Sequence, residues 1–304
     1  MITNKKEYLI DEKLVSLRLD KVLTLLDETN SRAYYSLLIK NKEVSVNGKY
    51  VSPSYKVNLN DKIIANYVLR EQDQDLKPLE LKLDILYEDD DLMIINKPKG
   101  LVVHPGDGHY DDTLLNALIY NHKDLSSVNG KLRLGIVHRI DKDTSGLLMV
   151  CKNDQSHNFI AAQLKDHTMH REYYALVDGV IEQNKGTIIG PIGRDKTNRL
   201  RMAIDNINGK DAITHFEVLK RFKKYTFISC SLETGRTHQI RVHLSSINHP
   251  LVGDTLYGGS NNLYNEGQLL HAYSLTFIHP SLKKEMTFKT PLPKYFLDIL
   301  NKLE

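Results

Sequence analysis

Between Gly135 and Asn153 two aliphatic runs enclose a segment crowded with residues that could do chemistry: His138, Arg139, Asp141, Lys142, Asp143, Thr144 and Ser145. Asp141 follows Ile140 at the end of an apolar run, with Arg139 on its other side. An aspartate so placed is either a turn-former or a carboxylate held at the rim of a core. In the second role it can serve as a covalent nucleophile, as carboxylates do in glycoside hydrolysis. His138, Asp141 and Ser145 also hold the residue types of a hydrolytic triad, but no Gly-x-Ser-x-Gly elbow surrounds Ser145. His104, His109 and His138 lack the spacing of metal ligands, and no metal is expected. Neither a Gly-x-Gly-x-x-Gly nor a Walker pattern occurs, so no cofactor is expected either.

The flanking runs, Leu134 to Val137 and Leu147 to Cys151, read as buried strands that would carry the polar segment between them. Upstream, Leu81 to Asn96 gives strand-like runs around the turn Glu88-Asp89-Asp90-Asp91. Asn96 to Pro105 then holds the punctuating Pro98-x-Gly100, and a helix capped by Thr113 runs to Tyr120. Downstream come a helix over Ser156 to Lys165, carrying Phe159, Ala162 and Gln163, and an alternating strand over Met169 to Val177. Tyr173 and Tyr174 must face opposite sides of that strand. Gly190 to Lys210 reads as a loop rich in cations: Arg194, Lys196, Arg199, Arg201 and Lys210. The polar, basic run after Gly235 could be a phosphate-binding turn at a helix start. Pro291 to Leu303 reads as a capping segment.

Residues 1 to about 70 form a different kind of module. Leu19, Val22, Leu23 and Leu26 mark an amphipathic helix with Ser16 as its N-cap. Ser31 would cap a second helix carrying Tyr34, Leu37 and Leu38. A strand over Glu43 to Val46, the turn Asn47-Gly48 and a strand over Asp61 to Tyr67 follow. This stretch holds 12 Lys/Arg against 8 Asp/Glu, whereas the whole 304-residue chain is only +3, so the basic bias sits here. Glu71 to Glu80 is acidic and polar and reads as a linker.

Composition excludes several classes. With 41% hydrophobic and 26% charged residues, the chain is globular. No uncharged apolar run approaches the roughly 20 residues of a membrane span, and the first 13 residues lack a signal-peptide core. Cys151 and Cys230 both lie in apolar strand-like runs and read as buried reduced thiols, which suits a cytoplasmic protein.

The central segment resembles the signature of the pseudouridine synthases that modify large-subunit ribosomal RNA: His138-Arg139-Ile140-Asp141, then Asp143-Thr144-Ser145-Gly146-Leu147. The single departure is Ile140 where the family has leucine, an apolar swap of equal size. Asn96-Lys97-Pro98-x-Gly100-Leu101-x-Val103-His104-Pro105, Thr234 to His243, His249 to Asp254 and Leu270-His271-Ala272 match the same family in order. The N-terminal module resembles the alpha-L type RNA-binding domain through Arg18-Leu19-Asp20, Ser31-Arg32, Leu37-Leu38-Ile39, Val44 to Gly48, and Asp61 with Ile63. Lys42 stands where that family usually has glycine, beside Asn41, which tolerates a left-handed turn.

These resemblances imply an α+β chain in three parts: a small α/β RNA-binding module over 1–70, a linker over 71–80, and a large, mainly antiparallel sheet with flanking helices over 81–304. They imply an isomerase that acts on structured RNA, above all large-subunit ribosomal RNA; a monomer without a cofactor is expected. Asp141 becomes the nucleophile, Arg236 its ion-pair partner, and Tyr173 the residue that stacks on the base. Arg139 would fill the space of an extruded base or hold phosphate, and Asp143 to Gly146 would form a supporting turn. Arg18, Lys21, Arg32, Lys40, Lys42, Arg194, Arg199 and Arg201 become the candidate RNA contacts. A non-catalytic RNA-binding protein on the same fold is the rival reading.

Overall fold

The computed structural model describes residues 3–27, 32–68, 76–106, 108–122, 124–130 and 133–304. The chain divides into two units, Met1–Asp75 and Leu76–Glu304.

In the first unit, strands β1 (Thr3–Leu9), β2 (Val44–Val46), β3 (Lys49–Tyr50) and β4 (Lys62–Val68) form an antiparallel sheet in the order β1-β4-β2-β3. Helices α1 (Leu19–Leu26) and α2 (Arg32–Lys40) bury Leu19, Val22, Leu23, Tyr35, Leu38 and Ile39 against Val44, Val46, Ile63 and Ala65. Three local expectations need correction. Ser16 does not cap α1; Arg18 stands at the N-cap without a side-chain bond, because the amides of Leu19 and Asp20 donate to the carbonyls of Tyr55 and Pro53. The second helix buries Leu38 and packs Tyr34 partly against the core as expected, but Leu37 is exposed and Tyr35 and Ile39 complete the buried face. Lys42 itself takes the left-handed turn, at φ 62, in the place of the glycine. The proposed Ser31 cap lies outside the described residues. Strand β1 escaped notice because it is a polar sheet edge with no apolar alternation, held by its ladder to β4.

The second unit is built on a nine-stranded sheet. Its strands are β5 (Ile85–Glu88), β6 (Leu92–Lys97), β7 (Ser145–Cys151), β8 (His170–Asp178), β9 (Lys185–Ile189), β12 (Ile213–Arg221), β13 (Tyr225–Leu232), β14 (Leu270–Ile278) and β15 (Glu285–Lys289). The order is β5-β6-β7-β14-β8-β13-β12-β9, with β15 also paired to β14. Every pairing is antiparallel except β7 with β14, a short parallel contact of Ser145 with His271 and Gly146 with Ala272. Gly146 sits there at φ 108, and a Cβ would lie 2.2 Å from the Ala272 carbonyl oxygen. Only glycine lets the two backbones meet so closely. Helices α3 (Leu114–Asn121), α4 (Asp154–Lys165), α5 (Gln239–Ser246) and α6 (Lys294–Lys302) flank the sheet. Thr113 caps α3 with Asn116 in a reciprocal capping box. Asn153 caps α4, which turns Ile160 and Gln163 inward and leaves Ala162 exposed. The architecture is α+β: a small N-terminal module and a large, mainly antiparallel sheet with flanking helices.

Two further readings are corrected. Leu134 to Val137 is not a strand; only Ile136 makes an isolated bridge, to Val150. The basic loop from Gly190 contains a hairpin, β10 (Ile192–Arg194) with β11 (Met202–Ile204). Residues 71–75 of the expected linker lie outside the described residues, while Leu76 packs against the large core and the Leu79 amide bonds the Asn116 carbonyl. Among the described residues no helix is long and apolar enough to cross a membrane.

Candidate active site

The segment before β7 is tied down from several sides. Lys97, wholly buried at the end of β6, donates from Nζ to the carbonyls of Pro98 at 2.7 Å, Leu101 at 2.8 Å and Lys142 at 3.0 Å. Burial pushes the Lys97 ammonium down to about 7, with Asp143 and Asp141 opposing. The Gly100 amide bonds the same Lys142 carbonyl. The Thr144 amide closes a turn onto the Asp141 carbonyl, Gln268 donates to the Thr144 hydroxyl, and the Ser145 hydroxyl bonds both His271 Nδ1 and the Tyr295 hydroxyl. Ser145 is thus engaged with the core, away from His138. Lys142 and Asp143 form a turn that leads from Asp141 into β7, whose first residues, Ser145 and Gly146, pair with β14.

The Asp141 carboxylate looks into a pocket lined by Tyr173, His238, Ile240, Arg241 and Leu270. Its cation is Arg241. Nη1 of Arg241 lies 3.2 Å from Asp141 Oδ2, while Nε and Nη2 hold Asp254 at 2.7 and 2.9 Å. Asp254 is buried, so one guanidinium is clamped by one carboxylate and offered to the other. Burial alone would lower the Arg241 pKa, but the two aspartates raise it above the ordinary arginine value. The expectation that Arg236 is the partner is corrected here. Its Nε donates to the Asp211 carbonyl at 2.9 Å, and its amide bonds Gln239 Oε1. It stands in the turn before α5, whereas Arg241 rides the first turn of that helix and faces Asp141. Sequence reading also missed Asp254 and His238. His238, left-handed at φ 57, hydrogen-bonds the Tyr257 hydroxyl through Nδ1 at 2.8 Å, and that hydroxyl accepts from the Met202 amide. Its Nε2 lies 3.9 Å from Asp141 Oδ1. Burial lowers the His238 pKa, against the pull of Asp141.

Tyr173 is buried on the inward face of β8, while Tyr174 turns away to stack on Tyr273 at 4.1 Å between ring centroids. Burial raises the Tyr173 pKa, Arg171 lowers it and Asp141 raises it, so the phenol keeps its proton at neutral pH.

The pocket opens on a groove of about 900 Å³. Arg133, Arg139, Lys165, Arg171, Arg194, Lys210 and Arg236 line it, and no Asp or Glu does among the described residues. Arg139 and Arg236 line both cavities. Arg199 and Arg201 do not line the groove. Arg199 is exposed and lends its carbonyl to Arg194, and Arg201 lies over the Tyr257 ring near Asp195. In the N-terminal unit Lys21, Lys40 and Lys42 are exposed. Arg18 and Arg32 are not free cations, since both donate to the buried Asp20 at 2.9 to 3.2 Å. Among the described residues one group has metal-ligand geometry, Asp89, Asp91 and His279. Its lone pairs are already taken by Tyr87, Ser156 and the amides of Asp91, Leu92 and Leu282, which marks a braced turn.

A braced carboxylate with a clamped arginine, beside a groove of unopposed cations, defines an enzyme of polyanionic substrates. A family model described as RNA pseudouridylate synthase matches residues 91–246, and one described as S4 domain matches residues 17–63. The chain is 44% identical over 300 residues to an RNA pseudouridine synthase of Bacillus subtilis, itself described as uncharacterized, covering 99% of this chain and 98% of that one. It is 41% identical to ribosomal large subunit pseudouridine synthase D of Neisseria meningitidis, covering 94% of this chain and 78% of that one. Among solved structures, human RNA pseudouridylate synthase domain containing 1 is similar at 28% identity and a TM-score of 0.56, over 70% of this chain and 84% of that one. The chain belongs to the RNA pseudouridine synthase family, isomerases that act on RNA, and carries an S4 domain.

Proposed function

We propose that this chain converts particular uridines of large-subunit ribosomal RNA to pseudouridine, with Asp141 as nucleophile and no cofactor. The supporting observation is the Asp141–Arg241–Asp254 arrangement at the neck of the basic groove. The ribosomal target rests on relatives named as large-subunit synthases.

The reaction breaks the bond from uracil N1 to ribose C1′, turns the base, joins C5 to C1′, releases the C5 proton to water and protonates the freed N1. No electron is exchanged and no group is carried away, so atoms balance without a cofactor. An Asp141 oxygen attacks the nucleotide at ribose C1′ or uracil C6, or takes the 2′ proton; each route needs the same carboxylate at the same place. Arg241 aims that carboxylate and balances its charge. Tyr173 stacks on the turned base and, being protonated, can give or receive a proton. A base paired in a stem must be flipped out at a cost of a few kcal/mol, which the groove offsets by holding backbone phosphate through Arg139, Arg194 and Arg236. In the S4 module Arg18, Lys21, Arg32, Lys40 and Lys42 supply further sequence-independent contacts, joined by Arg199 and Arg201 in the larger unit. The enzyme acts as a cytoplasmic monomer. Burial pushes the thiols of Cys151 and Cys230 up to about 12, which keeps them inert.

The test is to treat an unmodified large-subunit transcript with the enzyme and map pseudouridine by carbodiimide-dependent reverse-transcription stops. New stops at a few discrete uridines are expected with wild type and none with Asp141→Asn. Stops with the variant would refute the nucleophile; a bound but unchanged transcript would refute the ribosomal target.

A further inference from the structure

Arg171 is a buried cation that the scheme above leaves unused. It lies on β8 two residues before Tyr173, on the same inward face, and is only 6% exposed. A buried arginine is ordinarily paired with a carboxylate. Arg171 has no ion pair among the described residues, and its Nε has no hydrogen-bond partner. Burial lowers its pKa, with Tyr173 alone opposing. The chain leaves it room: a Cβ on Gly235 would stand 2.6 Å from Arg171 Nη1. Arg171 lines both the Asp141 pocket and the groove, so it sits at the neck where the two join.

A second unmet donor stands on the groove side of that neck. His138 Nε2 accepts the Met149 amide at 3.1 Å, so the ring proton is on Nδ1, and buried Nδ1 has no partner. Burial, and next the Arg171 charge, push His138 down to about 3, so the ring is neutral. A cation and a neutral N–H, both unmet and both lining the groove, call for one acceptor carrying negative charge. Uracil is neutral and cannot match the charge. Phosphate can, and the planar guanidinium fits it.

We propose that Arg171, with the Nδ1–H of His138, receives a phosphodiester oxygen adjoining the target uridine, gripping the strand where the nucleotide leaves the groove for the Asp141 pocket. Arg171 is then a substrate-positioning residue. The proposal rests on the reading of that pocket as the place of isomerisation.

The test combines Arg171→Met and Arg171→Lys with a synthetic RNA spanning a uridine that the wild type converts. A single neutral methylphosphonate replaces each phosphate around that uridine in turn. One linkage should slow wild-type single-turnover conversion by at least about tenfold. Arg171→Met should be slowed by a similar factor on the unmodified RNA and show no further loss at that linkage. Arg171→Lys, which keeps the charge without the fork, should fall between. Equal, multiplying losses in wild type and Arg171→Met would overturn the proposal. Thermal unfolding separates a merely structural role and needs no RNA. Removing an unmatched buried charge should leave Tm of Arg171→Met at or above wild type. A Tm several degrees lower, with conversion restored on cooling, would overturn it. Conversion by Asp141→Asn would fall on the nucleophile alone and leave the methylphosphonate result to be judged by itself.

Discussion

The two units each contain a three-member charge cluster, and the clusters are mirror images. In the large unit one arginine, Arg241, stands between two aspartates, Asp141 and Asp254. In the small unit one aspartate, Asp20, stands between two arginines, Arg18 and Arg32. The first is buried nearly throughout, while in the second Asp20 is buried and the arginine side chains are 46% and 51% exposed. The difference teaches what each surplus charge is for. The buried cluster keeps an extra carboxylate whose second oxygen faces a pocket. The half-exposed cluster keeps an extra cation turned to solvent, where RNA phosphate can meet it. On the proposed reading, the same ion-pair chemistry, with its stoichiometry inverted, serves catalysis in one place and docking in the other.

Breaking the buried cluster should cost most. Arg241→Met strands Asp254 without its cation and should destabilise the large unit by about 3–5 kcal/mol. Turnover of the folded fraction should fall by at least about a hundredfold. Denaturant unfolding with single-turnover assay in parallel checks both; wild-type turnover in the folded fraction would show that Asp141 needs no aimed cation.

The half-exposed cluster should respond to pH. Burial alone would raise the Asp20 pKa, but Arg18 and Arg32 outweigh it and hold it below the usual carboxylate range. A carboxylate depressed in the folded state contributes stability above its unfolded pKa, near 4, and loses it as pH falls through the folded value. Amide exchange along β4 should therefore accelerate in wild type below about pH 4, and Asp20→Asn should flatten that dependence. A flat wild-type profile would contradict the pairing.

Smaller effects are expected from the cations. Arg18→Ala or Arg32→Ala should weaken RNA binding severalfold and reduce the salt slope of log Kd by about 1, as loss of one phosphate contact does. An unchanged slope in filter binding would leave these arginines as scaffolding for Asp20. Arg236→Ala sharpens the contrast with Arg241. Its guanidinium faces the groove, so KM should rise a few-fold with kcat within about twofold of wild type. A collapse of kcat would return Arg236 to the side of Asp141.

Much of this was legible in the residues. Asp141 and Tyr173 stand out by the resemblance of their motifs to a family, Thr113 by its helix cap, and the opposite facing of Tyr173 and Tyr174 by the two-residue period of a strand. The partner of Asp141 was not legible, because Arg236 and Arg241 differ only by where α5 begins, and His238 enters the helix from a left-handed turn that its residue type does not demand. Asp254 lies 13 residues beyond Arg241, past the end of α5, and only the fold brings the two together. Leu134 to Val137 has a strand's composition but folds as turns, since its neighbours offer one bridge rather than a ladder. Arg171 carried no signal at all: a missing partner shows only once every neighbour is in place.

The central claim is that Asp141 performs the isomerisation. Joining C5 to C1′ expels the C5 hydrogen, so RNA labelled with tritium at uracil C5 reports the reaction by releasing label to water. Single-turnover release from labelled large-subunit transcript should be rapid with wild type. With Asp141→Asn it should be slower by at least about a thousandfold, while RNA affinity stays within about twofold. Release by Asp141→Asn at a rate near wild type would contradict the account.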